Sequence, residues 1–294
     1  MSKYLVTGGE GFIGRNLINR LESMGNEVVS LDIEGNPDFK GSICDREIVK
    51  TACKGVDGVF HLGAITSPPQ FEEDLFQGFD TNVIGTLNVL KAASDANVRR
   101  VLIASSSSTY GDLTRMATED DLSYSHRNMY PLTKVFGELL GKYFTNRNEA
   151  EVVSVRYFNT YGKDENTKSA YASVVWRFVK AAMKNEDIVI YGDGTQSRDF
   201  IYVKDTVDAS ISVFDKGNAG QSYNIGSGKS YTFNEIARLV SDVTETNSSI
   251  VHAVNPLKNY QKFTLANLTK ITKEVGWVPS YGLRDGIVEL MSDQ

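Results

Sequence analysis

The stretch "YLVTGGEGFIG", residues 4–14, does most to limit what this chain can fold into. It sets Gly9, Gly11 and Gly14 in a G-x-G-x-x-G register between an apolar β-branched run and an amphipathic helical pattern. The first glycine permits a tight strand-to-helix turn, and the second lets backbone N–H groups approach a pyrophosphate at the helix N-terminus. The third allows the helix to pack closely on the sheet. The next apolar run, "EVVSLD", ends in Asp32, where a dinucleotide fingerprint carries the acid that binds the adenosine ribose hydroxyls. Asp32, with Glu34 beside it and no arginine from 33 to 40, repels a 2′-phosphate, so the spacing favours NAD over NADP; Lys40 is the one cation nearby.

The cadence continues with "GVFHLGA", "TNVIGTLNVLKAASDA" and "RRVLIASS". Strand, helix, strand at this spacing predicts βαβ units around a doubly wound parallel sheet, an α/β Rossmann architecture. A further helix is expected over about 128–147 and a strand at "EVVSVRYFN"; later helices include "ASVVWRFVKAAMKN" and "TFNEIARLVSDVT", the second opened by a Thr232/Glu235 capping box. We divide the chain into a Rossmann domain over 1–160 and a smaller α/β substrate lobe over 161–294, with the segment at about 199–218 returning to the first.

Composition closes several other routes. With 41% hydrophobic and 23% charged residues the chain is ordinary globular protein, and 31 Lys+Arg against 37 Asp+Glu leave a formal net charge of −6 with no basic groove for nucleic acid. Cys44 and Cys53 lack a C-x-x-C spacing and read as small buried residues; the three histidines form no ligand set, so no metal is expected. No apolar run reaches membrane-spanning length and no leader pattern opens the chain, which predicts a cytoplasmic protein.

Tyr130 and Lys134 stand four apart on one helical face, where an ammonium beside a phenol lowers its pKa and lets it take a proton from an alcohol. About 20 residues upstream lies the hydroxyl-rich strand end "ASSSSTYG", residues 104–111.

Together, "TGGEGFIG", "SSSSTYG", "YPLTK", "RYFNTYG" and "GDGTQSRDFIYVKD" resemble the extended short-chain dehydrogenase/reductase family, in its nucleotide-sugar epimerase and dehydratase branch. The resemblance implies a sheet of about seven strands with bound NAD, a lobe gripping a nucleotide-sugar, and a homodimer through the helices near 81–97 and 130–147. It places the catalytic Ser at Ser106, beside Tyr130 and Lys134. Around the cofactor it places Gly8, Gly9, Gly11, Phe12, Ile13, Gly14, Asp32, Asp45, Ala64, Asn82, Tyr130 and Lys134, with Asn82 serving either the nicotinamide side or a helix N-cap. On the sugar-nucleotide it places Ser107, Asn159, Lys168, Arg198 and Thr264. Asn159 and Arg198 have structural alternatives, as a turn residue and a surface cation, and Lys168 is either a second base or a lysine paired to phosphate or solvent.

Related dehydratases and UDP-xylose-forming decarboxylases carry Asp or Glu just after the catalytic serine, where this chain has Ser107 and Ser108. Without that acid, a transient 4-keto sugar has one easy fate, return of the hydride to the opposite face. The resemblance therefore implies a UDP-hexose 4-epimerase of the UDP-glucose type, with a small Thr264 admitting an N-acetyl group. The alternatives are an ADP-heptose 6-epimerase-like enzyme, a UDP-uronate 4-epimerase or a 4-keto-sugar reductase. A binding protein of the same fold would have no need of Tyr130 and Lys134.

Overall fold

The computed structural model describes residues 1–66, 71, 73–123, 126, 128–165, 172–255 and 261–292. Strand β1 (Lys3–Thr7) leads through the glycine turn into α1 (Phe12–Ser23), then β2 (Glu27–Asp32), β3 (Phe39–Lys40), α2 (Arg46–Ala52) and β4 (Gly58–His61). Helix α3 (Leu75–Phe79) runs through a π-helical turn (Asp80–Ile84) into α4 (Gly85–Asp95), and β5 (Arg100–Ser106) ends in a 3-10 turn (Ser107–Tyr110). Helix α5 (Met129–Asn146), β6 (Glu151–Tyr157), β7 (Asn159–Tyr161), α6 (Val174–Met183), β8 (Ile188–Tyr191), β9 (Ser197–Tyr202) and α7 (Val203–Lys216) follow. The remainder is β10 (Ser222–Ile225), β11 (Ser230–Thr232), α8 (Phe233–Thr244), β12 (Ile250–Ala253), α9 (Thr269–Val275) and α10 (Leu283–Ser292).

Seven strands form one sheet in the order β10-β6-β5-β4-β1-β2-β3, and every neighbouring pair is parallel. Because parallel strands are buried on both faces, their side chains alternate between two cores. Leu5, Val101 and Ile103 join one buried cluster, whereas Val6, Leu102 and Ala104 join the other. The strand order reverses at β1, and the crevice beyond the carboxyl ends of strands at such a switch point is where this architecture binds ligands.

The expected strand "EVVSVRYFN" is split at Phe158, after which β7 leaves the main sheet to pair with β9 in a three-stranded sheet completed by β11. Helix α8 opens with the expected capping box: the Thr232 hydroxyl accepts from Glu235 N at 3.1 Å, and the Glu235 carboxylate accepts from Thr232 N at 2.7 Å. The cysteine expectation holds for one residue only. Cys53 is buried, and that burial pushes its thiol up to about 12, but Cys44 is exposed because it lies in the surface turn before α2. No described helix is long and apolar enough to cross a membrane.

Candidate active site

The glycine turn leaves no room for a side chain at Gly8 or Gly14. Gly8 has φ +71°, and a Cβ there would stand 2.7 Å from Gly63 N; a Cβ on Gly14 would stand 2.1 Å from Gly8 O. Gly11 is the N-cap of α1 and offers no side chain to its first turn, so the N–H groups at that helix end, those of Ile13 and Gly14 among them, face the crevice with the positive end of the helix dipole.

Asp32 closes the other end of the cradle. Its Oδ2 accepts from Glu10 N at 2.9 Å and its Oδ1 from Glu34 N at 3.2 Å, which fixes the carboxylate at the tip of β2. Lys40 lies opposite Asp32 in register, but its ammonium donates to Gly35 O at 3.2 Å. A Cβ on Gly35 would stand 2.5 Å from the Glu10 carboxylate, so a second acid packs over the same corner. The Glu10 carboxylate is held by Arg15 Nη2 at 2.8 Å; amide donors for a pyrophosphate at one end and the Asp32 carboxylate for ribose hydroxyls at the other fit NAD.

Asn82 binds the loop after β4 at Ile65, next to Ala64 in sequence. From the π-helical turn, Asn82 Oδ1 accepts from Ile65 N at 2.8 Å, and Nδ2 donates to Ile65 O at 2.9 Å and to Thr133 Oγ1 at 3.1 Å. It thus clamps the loop after β4 to α5 and caps no helix. Asp45 has a capping duty, with Oδ1 accepting from Glu47 N at 3.0 Å and Ile48 N at 3.3 Å at the start of α2.

The catalytic candidates meet where β5 ends against α5. The Ser106 side chain acts on the Tyr130 hydroxyl and favours its ionised form, and Ser106 Oγ accepts from Ser108 N at 3.1 Å. Lys134 is buried; its Nζ donates to Ala104 O at 3.0 Å and stands 5.8 Å from the Tyr130 ring centroid. The acidity of Tyr130 departs from what the Tyr–Lys spacing predicts. Burial dominates and raises the phenol above its ordinary value, while the hydrogen bond with Ser106 pulls it back down. Burial draws Lys134 down to about 8, so the ammonium still carries its charge at neutral pH.

Ser107 and Thr264 face one narrow cavity, shared with Tyr110, Phe158 and Phe263. Thr264 Oγ1 accepts from Asp199 N at 3.0 Å and from Asn159 Nδ2 at 3.2 Å, so Asn159 and Thr264 are joined directly. Arg198 is buried with its guanidinium 5.9 Å over the Phe233 ring, and Nη1 donates to Ser197 O at 2.9 Å. It is therefore no surface cation. Lys168 lies outside the described residues.

Two sets of residues escaped the sequence reading. His61 is buried between Thr7 and Thr86, with Nδ1 2.7 Å from Thr7 Oγ1 and Nε2 2.9 Å from Thr86 Oγ1. The Thr86 hydroxyl donates to Asn82 O, so it accepts from His61 Nε2–H; Nδ1 then accepts from the Thr7 hydroxyl, whose oxygen takes Gly63 N–H. This proton order needs a neutral imidazole. Burial first, and then the Lys134 charge, lower the His61 pKa to about 3. The unfolded chain protonates His61 near its ordinary 6.5, so the stability from the neutral ring is complete above that pH. It should be lost by about 1.4 kcal/mol per pH unit as pH falls from 6.5 towards 3. Denaturant midpoints of the wild type between pH 7 and 4, set against those of His61→Gln, check this; parallel curves would refute it. The second set, Ser105, Glu138 and Arg156, forms a polar knot behind the serine run, with the Arg156–Glu138 pair at 2.7 Å almost out of reach of solvent.

The chain is similar to known proteins over most of its length. A family model described as the NAD dependent epimerase/dehydratase family matches residues 4–226. The UDP-N-acetyl-alpha-D-glucosaminuronate decarboxylase of Bacillus cytotoxicus is 35% identical over 266 residues, which cover 84% of this chain and 82% of that protein. Among solved structures, the Thermotoga maritima UDP-glucose 4-epimerase with UDP-glucose superposes with a TM-score of 0.91 at 26% identity, over 99% of this chain and 98% of that one. The UDP-N-acetylglucosamine 4-epimerase of Methanobrevibacter ruminantium gives 0.90 at 28% identity, over 100% and 99%.

Proposed function

Because the chain belongs to the NAD-dependent epimerase/dehydratase family, we propose that it is a UDP-hexose 4-epimerase. The glycine cradle and the α1 N-terminus would hold the pyrophosphate of NAD, and Asp32 its adenosine ribose. Bound NAD supplies a hydride acceptor that can give the hydride back. The chain's own residues do the rest. Ser106 holds the sugar hydroxyl by a hydrogen bond and supports the ionised form of Tyr130 against the burial that opposes it, Tyr130 takes the proton, and Lys134 places a positive charge 5.8 Å from the Tyr130 ring. Arg198 and Asn159 would grip the nucleotide-sugar, Arg198 through its phosphates.

The observation that carries this reading is Lys134, buried at the end of β5 with its ammonium 5.8 Å from the Tyr130 ring centroid, together with Ser106 and then Ser107 and Ser108 where related enzymes carry a carboxylate. Proton NMR of the anomeric region, after incubation with a panel of nucleotide-sugars and no added reductant, is the test. A new anomeric doublet from UDP-glucose or UDP-N-acetylglucosamine supports epimerisation, and turnover of both supports Thr264 as the residue that admits an N-acetyl group. A second reading, decarboxylation of a UDP-uronate, is favoured by the Bacillus cytotoxicus relative; carbon dioxide released from a UDP-uronate, with hexoses unchanged, would establish it instead.

The reading includes a homodimer. Leu87 on α4 and Phe136, Leu139 and Tyr143 on α5 expose apolar surface on the two helices named from the sequence. Sedimentation equilibrium at a mass near 32.5 kDa would remove the dimer.

A further inference from the structure

The proposed chemistry leaves Ser105 without a task, yet it is buried and its Oγ donates to Glu138 Oε1 at 2.5 Å. It continues the row of Val101 and Ile103, the face of β5 that packs against α5. Tyr130, Lys134 and Glu138 lie at intervals of four along α5 and so form one stripe. Each residue of that stripe answers to one of the last three residues of β5: Lys134 donates to Ala104 O, Glu138 accepts from the Ser105 hydroxyl, and Tyr130 is acted on by the Ser106 side chain.

The Glu138 carboxylate is itself immobilised. Arg156 grips it with Nε on Oε1 at 2.8 Å and Nη2 on Oε2 at 2.7 Å, and Ser222 Oγ donates to Oε2 at 3.0 Å. Arg156 Nη1 reaches the Tyr110 hydroxyl at 3.0 Å and Glu119 O at 2.7 Å, and Tyr110 donates to Asn224 Oδ1 at 2.5 Å. A buried ion pair is weak evidence for stability, because apolar side chains of the same volume often do as well. What a bidentate pair with every oxygen occupied does supply is a fixed position.

We propose that Ser105 and Glu138 are positioning residues, whose hydrogen bond sets where α5 lies along β5 and thereby holds the Tyr130 hydroxyl against Ser106. The inference rests on Tyr130 and Ser106 being the reacting pair. Ser105→Ala and Ser222→Ala, prepared in the NAD-loaded enzyme, test it. Each removes one hydroxyl from the same carboxylate, but only Ser105 is on the strand that bears Ser106. Two measurements apply: kcat and KM with whichever nucleotide-sugar the wild type turns over, and the carbon-13 signal of Tyr130 Cζ without substrate, assigned by its loss in Tyr130→Phe. Ser105→Ala should lower kcat about tenfold with KM held within about twofold, and should shift or broaden the Tyr130 signal. Ser222→Ala should do neither. The proposal is overturned if Ser105→Ala matches the wild type in both readouts, or if the two variants lose alike. Should no nucleotide-sugar be turned over, the functional reading falls, while the Tyr130 signal still decides the positioning role.

Discussion

Tyr130→Phe should lower turnover by about a thousandfold, within the range that a positioned acid–base group supplies, while leaving the protein folded and loaded with NAD. The substitution removes one oxygen. The ring keeps its edge contact with Phe71 at 5.8 Å, and Lys134 keeps its bond to Ala104 O, so neither packing nor the buried charge is disturbed. None of the cradle glycines and neither oxygen of Asp32 bonds to Tyr130. Steady-state turnover and the NAD retained after desalting measure the two halves separately. A variant within about tenfold of wild-type kcat would remove Tyr130 from the reaction.

Gly14→Ala should abolish cofactor retention and lower the melting temperature by about 4 °C or more, the shift that a destabilisation of about 2 kcal/mol gives in a chain of this size. The added methyl would sit 2.1 Å from Gly8 O and 2.9 Å from Gly9 Cα, and both obstacles are backbone. Gly8 cannot yield easily, since its N–H donates to Leu31 O at 2.9 Å and its carbonyl accepts from Gly11 N at 3.2 Å. Either the turn opens or α1 moves off the sheet, and in both cases the amide donors lose their aim. Thermal melts with and without NAD, together with equilibrium binding, check this. A variant that melts with the wild type and binds NAD within about threefold would show that the close approach is dispensable.

How much of this could be read from the sequence follows from how local each feature is. The glycine fingerprint, the Tyr130–Lys134 spacing and the Thr232–Glu235 box each act within one turn or one helix, and each was legible because its geometry is written in its own spacing. Glu138 was not, although it repeats the interval of four, because its partners Arg156 and Ser222 are 18 and 84 residues away in sequence and meet it only across the assembled sheet. His61 looked isolated for the same reason: the parallel register that sets it beside Thr7 does not exist until β1 and β4 pair. The π-helical turn at Asp80–Ile84 passed as ordinary helix, since it is a single wide turn between two stretches that each keep helical spacing on their own.

The outermost position on one side of the main sheet is taken by β10, drawn from residues 222–225, next to β6 from residues 151–157. A nascent chain must therefore synthesise some 65 further residues after β6 before that strand's free backbone groups find their neighbour, a delay of several seconds at ordinary rates of translation. Until then β6 presents an open row of N–H and C=O groups to any passing strand, the configuration from which misassembly starts. A truncation at residue 160 keeps the whole glycine cradle and should nonetheless behave as a sticky, incomplete body.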